Sequence, residues 1–150
     1  MAVTSDLLQA LEEESKSLPA EALMQRICEK LAQLPHFNWV GFYMLAQEAC
    51  KKVLYLGPFV GAPTPHVRIP LHEGICGAAV SQGQTIVVDD VNSDPRYLAC
   101  SLETKSEIVV PIRVHGEIDI HSHTHAAFGP EERALVERCA ALVGRRLEAQ

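Results

Sequence analysis

Cys100 stands in a polar stretch, PRYLACSLETKSEIVVP (residues 95–111), and not inside an apolar periodic segment where structural cysteines normally pack. A thiol so placed is either an inert loop residue or a nucleophile that attacks an electrophilic centre and passes through a sulfenic acid. Cys76 lies 24 positions earlier, in EGICGAAV. Between glycines and alanines it reads as a small helix-packing residue or as a second thiol. Cys28 and Cys139 fall on apolar helical faces and read as core. Cys50 sits in AQEACKKV, a hairpin turn, with no evident chemistry. The chain contains no Cys-x-x-C, so neither a thioredoxin-like motif nor a zinc knuckle is supported.

Other side chains extend the inventory. Trp39 and Tyr43 are four apart in a strand-like run, so they share a face, as core residues or as pocket walls. Glu107 opens a strand, where an edge charge in water is the plain reading. Asp119, His121, His123 and His125 alternate, which in an extended segment puts all four on one side. His-x-His spacing of that kind can ligate zinc. If the strand ends near Ser122, however, His123 and His125 lie in a polar loop and no metal is expected.

These residues need elements to hold them. Residues 5–15 read as a short acidic helix, and Leu23, Ile27, Leu31 and Leu34 mark a second amphipathic helix. FNWVGFYML (37–45) and KKVLYLGPF (51–59) read as strands, and GPFVGAPTPH as loop. HVRIP suggests a short strand, EGICGAAVSQGQ a short helix ending near Gly83, and TIVVDDV another strand. A long polar connection follows, of the kind that is usually functional in compact domains. EIVVPIRV–HG–EIDIHS reads as a hairpin, with Pro111 at an edge or bulge. Pro130 opens a last helix, with Glu131 and Glu132 in its first turn. The order predicts an α+β fold: four or five mostly antiparallel strands, with the N- and C-terminal helices packed on one face. Long loops, and any ligand, then belong to the other face.

At 150 residues the expectation is one domain spanning 1–150. Apolar and charged fractions of 47% and 21% are those of an ordinary soluble protein. A net charge of −6 and a pI near 5.6 argue against nucleic acid or anionic membrane as partners. The acidic N-terminus lacks the features of a signal peptide, and no segment suits a membrane span, so the expected location is cytoplasmic, with the cysteines mostly reduced.

Three stretches carry a family resemblance: NWVGFY (38–43), LGPFVG (56–61) and RIPLHEGICGAAV…VVDDV…YLACSLETKSEIVVP (68–111). They resemble the free methionine-(R)-sulfoxide reductases, single GAF domains acting on the free amino acid. The resemblance implies a GAF-type sheet, reduction of free L-methionine-(R)-S-oxide, Cys100 as nucleophile, and a disulfide relay emptied by an external thioredoxin-type reductant with no bound cofactor. It implies Glu107 and Asp119 as carboxylates for the substrate's ammonium, Trp39 and Tyr43 as aromatic walls, and a homodimer. Cys76 would be a substitute resolving thiol.

Three departures qualify that expectation. The family's resolving cysteine lies ten residues before the position of Cys76, where this chain has His66. The second acid of the family's D-I-D-S motif is His121. The hairpin is about four residues short, which would move Asp119 by roughly 13 Å along its strand. With a turn at His115-Gly116, Asp119 pairs near Ile112, and the two acids are split. A stand-alone GAF module that binds a small molecule, with weakened or lost turnover, is the alternative these departures raise.

Overall fold

The computed structural model describes residues 2–99 and 101–149. The elements run α1 (Ala2–Glu14), α2 (Ala20–Leu31), β1 (Trp39–Glu48), β2 (Lys51–Val60), β3 (Arg68–Pro70), α3 (Gly74–Gln82), β4 (Ile86–Val88), a 3₁₀ turn (Val91–Ser93), β5 (Ser106–Ile112), β6 (Gly116–Ser122) and α4 (Pro130–Ala149). The strands form one antiparallel sheet in the order β3-β2-β1-β6-β5-β4. That is six strands where four or five were expected, because the three-residue β3 and β4 complete the two edges. Pro111 lies past the end of β4, which pairs only with residues 107–109 of β5, so its missing N–H removes no ladder bond there.

The terminal helices pack together on one face, as the pattern predicts. Leu23, Ile27 and Leu31 of α2 and Leu135, Val136, Cys139 and Val143 of α4 meet Val40, Phe42, Ile108, Val110, Ile112, Ile118 and Ile120 of the sheet. Each such aliphatic side chain contributes about 1.5–3 kcal/mol through burial. The opposite face carries Trp39, Tyr43, Leu54 and Val109, and is covered by α3 through Ile75, Cys76 and Ala79. Close approach of α3 depends on Gly77, where a Cβ would come within 2.5 Å of the Leu71 carbonyl oxygen. Gly83, at φ 65°, ends the helix in the left-handed conformation expected of it.

The hairpin corrects the register read from the sequence. Its turn occupies Arg113–His115, Gly116 pairs with Ile112, Asp119 with Val109, and Glu107 with His121. The expected pairing of Asp119 with Ile112 would have turned Asp119 toward the helices, because Ile112 belongs to the helix-side core. An odd shift in register exchanges the two faces of a strand. Burial of Ile118 and Ile120 therefore selects the observed parity, and Arg113 supplies the turn at φ 49°. The acids are not split: Asp119 sits one diagonal step from Glu107 on the same face.

Candidate active site

Every residue of β6 is buried, the polar ones included. Glu117, Asp119 and His121 alternate with Ile118 and Ile120, so the sequence GEIDIHS sends three ionisable side chains to the face under α3. Glu107 of β5 joins them at 4% exposure. It is a buried carboxylate and not the edge charge that the plain reading allowed. The short hairpin leaves this arrangement intact because it removes ladder from the turn end.

At the centre is the imidazole of His121. Its Nε2 stands 3.1 Å from Glu107 Oε2 and 3.0 Å from Asp119 Oδ2. Trp39 stacks on the same ring at 5.1 Å between centroids and 27° between planes. Cys76 Sγ, a Glu107 oxygen and an Asp119 oxygen all lie within 4.8 Å of one another. Asp119 Oδ1 and both oxygens of Glu117 are buried without a hydrogen-bond partner among the described residues, although the Cys76 thiol is close enough to perturb both acids.

Crowding sets the protonation states. Burial, then the charge of Asp119, pushes Glu107 well above the usual carboxylate range, against the pull of His121. Burial does the same to Glu117. Burial also acts to raise Asp119, but the charge and hydrogen bond of His121, with the nearby Glu107 and Cys76 protons, outweigh it and hold this carboxyl below its ordinary value. One ionised acid beside two neutral ones is what closely spaced carboxylates in low dielectric require. The Cys76 thiol is pushed well above its ordinary value by burial, and further by the neighbouring acids.

Trp39 and Tyr43 are both core and clasp. Each is under 10% exposed, at 7% and 2%, yet each uses its polar tip on the segment ahead of β3. Trp39 Nε1 donates to the Ala62 carbonyl at 2.9 Å, and Tyr43 Oη donates to the His66 carbonyl at 2.6 Å. His66 Nε2–H in turn donates to the Ala99 carbonyl at 3.1 Å, linking the two loops that roof the site. Beneath that roof is a cavity of about 30 Å³, lined by Tyr43, Thr64, His66, Cys76, Leu98, Glu107, Asp119 and His121. Such a space holds about two waters. Cys100 lies outside the described residues, although Leu98 lines the cavity and Ala99 forms part of its roof.

The comparisons with known proteins converge on one group. The GAF domain family model matches residues 19–147. A free methionine-R-sulfoxide reductase of Saccharomyces cerevisiae is 39% identical over 113 residues, 72% of this chain and 62% of that protein. The type II free methionine-R-sulfoxide reductase structure from Thermoplasma acidophilum superposes with a TM-score of 0.80 at 40% identity, covering 93% of this chain and 96% of that one. The structure of the Neisseria meningitidis free methionine-R-sulfoxide reductase in complex with its substrate gives a TM-score of 0.89 at 32% identity, covering 99% and 90%.

This chain belongs to the GAF family, among the free methionine-R-sulfoxide reductases. The match spans 62% of the yeast relative's length, and only 50% of another curated relative's.

The remaining histidines of the 121–125 stretch of this GAF domain stand apart from the cluster. His123 lies 3.5 Å from Glu103 and His125 lies 3.6 Å from Asp90, both exposed, while His121 points into the buried cluster. The alternating histidines thus have three separate sets of partners, because the strand ends at Ser122. A broader concavity of about 860 Å³ lies between α4 and the β5 edge, but its lining includes no cysteine. Cys28 and Cys139 are buried among aliphatic side chains, each thiol pushed up to about 12 by burial. Cys50 is exposed in the β1–β2 turn. No described helix is long and apolar enough to cross a membrane. The sequence reading passed over Glu117, although its period-two spacing from Asp119 and His121 was the available signal.

Proposed function

We propose that the chain reduces free L-methionine-(R)-sulfoxide, with Cys100 as the attacking thiol. The observation that carries this reading is the buried cluster of Glu107, Asp119 and Glu117, with no lysine or arginine among the residues lining the cavity. A free amino acid brings an ammonium group that a peptide-bound methionine lacks, and such a cluster is a seat for it. Names and structures of the relatives support the reductase over a binding-only module.

The chemistry balances with two thiols. The Cys100 thiolate attacks the sulfoxide sulfur, the oxygen is protonated and transferred, and methionine leaves while Cys100 becomes a sulfenic acid. Cys76 then attacks the sulfenic sulfur and water departs, leaving a disulfide for a thioredoxin-type reductant to open. Its raised pKa makes Cys76 a poor thiolate on its own, and the ionised Asp119 beside it would accept the proton as it attacks. With room for about two waters, the roof must lift at the His66–Ala99 link before substrate enters. A homodimer is part of this proposal by family resemblance.

The test is thioredoxin-coupled oxidation of NADPH with free methionine-(R)-sulfoxide as substrate. The native chain should turn over and Cys100→Ser should not. Peptide mapping after one turnover without reductant should find Cys76 joined to Cys100. An inactive native chain that still binds the sulfoxide by calorimetry would return the binding-only reading. A turnover unaffected by Cys100→Ser would remove the nucleophile.

A further inference from the structure

We propose that the cluster beneath α3 also takes a zinc-class divalent metal ion, through Cys76 Sγ, Asp119 Oδ1 and a Glu107 carboxylate oxygen. The three donor groups lie within 4.8 Å of one another and all three residues are buried. Donors gathered that closely can converge on a shared ion, at about 2.0–2.3 Å each, with small side-chain rotations. His121 divides the labour between oxygens. Its Nε2 is bonded to Asp119 Oδ2 and Glu107 Oε2, while Asp119 Oδ1 is buried with no partner. A buried polar atom without a partner is costly and calls for a ligand. An imidazole bonded to one oxygen of each acid is the usual outer support of a carboxylate ligand set.

The donor chemistry narrows the ion. Sulfur and oxygen together fit Zn²⁺ or Co²⁺ and do not fit Mg²⁺ or Ca²⁺, which take oxygen ligands. Three protein ligands leave a fourth position for water, the open arrangement of non-structural zinc sites. Metal binding displaces the Cys76 thiol proton and the proton shared between Glu107 and Asp119, both of which pass to solvent. Glu117, whose two oxygens also lack hydrogen-bond partners among the described residues, stands beside the ion as an acid that burial keeps protonated. One consequence rests on the reductase reading: the ion and the substrate's ammonium claim the same acids, and the ion also ties up Cys76. Zinc should therefore inhibit turnover competitively with methionine sulfoxide.

The deciding experiment titrates the reduced full chain with Co²⁺ under anaerobic conditions, with no methionine sulfoxide present. A thiolate-to-cobalt charge-transfer band in the near ultraviolet should saturate at one equivalent and vanish when Zn²⁺ is added. Cys76→Ser should abolish the band, Cys50→Ser should retain it, and Asp119→Asn should weaken cobalt binding at least about tenfold, the loss of one ligand charge. A native chain with no band, or a band that survives Cys76→Ser, overturns the site. If Cys76→Ser does not fold, the isosteric Asp119→Asn carries the decision, and unchanged cobalt affinity in that variant overturns it equally. Because the titration contains no substrate, a reductase without a metal site and a metal site without reductase activity give different pairs of results.

Discussion

The two faces of β6 differ more than their shared strand suggests. Ile118 and Ile120 point into the helical core, while Glu117, Asp119 and His121, one residue away each time, point beneath α3. Both faces are buried and both hold cysteines with raised pKa values. On the helical side burial dominates: it is opposed only by the charge of Arg138 at Cys139, and is joined by the charge of Glu29 at Cys28. On the other side the acids add to burial at Cys76. Burial therefore does not mark a site; the company that buried groups keep does. The helical face is satisfied by dispersion and exclusion of water, whereas the acidic face still has carboxylate oxygens without partners. There two acids share one imidazole beside a third acid, and a cation can take the place of a proton among them.

Substitutions on neighbouring residues of β6 give the largest expected contrast. Ile118→Ala should destabilise the fold by about 2–5 kcal/mol, since it opens a cavity in a fully buried core. Asp119→Asn, next along the strand, keeps the volume and removes one charge, and should move stability far less while reducing turnover. Denaturant unfolding of both proteins checks the pair. Equal losses would mean that the acidic face is a stability device, and the contrast between faces would collapse.

A second, smaller effect concerns binding. If Glu107 seats the substrate's ammonium, Glu107→Gln removes a charge-assisted hydrogen bond of about 1.5–3 kcal/mol. KM for free methionine sulfoxide should rise about 10- to 100-fold, with kcat changed less. Steady-state kinetics on the thioredoxin-coupled reaction decides it. An unchanged KM would place the ammonium elsewhere.

How much of this was legible beforehand follows the same division. The helical face was readable, because alternation of isoleucine and valine in 107–122 and the helical spacing of Leu23, Ile27 and Leu31 report directly on burial. Cys28 and Cys139 were readable for that reason. The hairpin register was not, because His115-Gly116 suggests a two-residue turn while the chain uses three residues with Arg113 at φ 49°. Parity was the overlooked argument: only an even register keeps Asp119 off the helical core. The ties from Trp39 to Ala62 and from Tyr43 to His66 span 23 residues each and leave no local mark in the sequence. Glu117 was missed because alternation assigns a face without saying whether that face is wet.

Glu117 also supplies the smallest and most discriminating measurement. Burial raises its folded-state pKa, and an unfolded glutamate titrates near about 4.3. The folded protein thus holds a proton that the unfolded chain has released, over the whole interval between the two values. Stability from this group is fully present below the unfolded value and is lost as pH rises through the folded one, at no more than about 1.4 kcal/mol per pH unit. Glu107 contributes with the same sign, and Asp119, whose pKa is lowered, with the opposite sign. The difference between native chain and Glu117→Gln largely isolates the one group, since the other acids are present in both. A neutral amide has no charge to bury, so the variant should gain on the native protein as pH rises from the unfolded value of about 4.3 toward the raised folded one. Unfolding free energies measured across that range give the answer. A difference that stays flat would mean that Glu117 already has a countercharge, and the acidic face would then lack the unmet demand that separates it from the helical one.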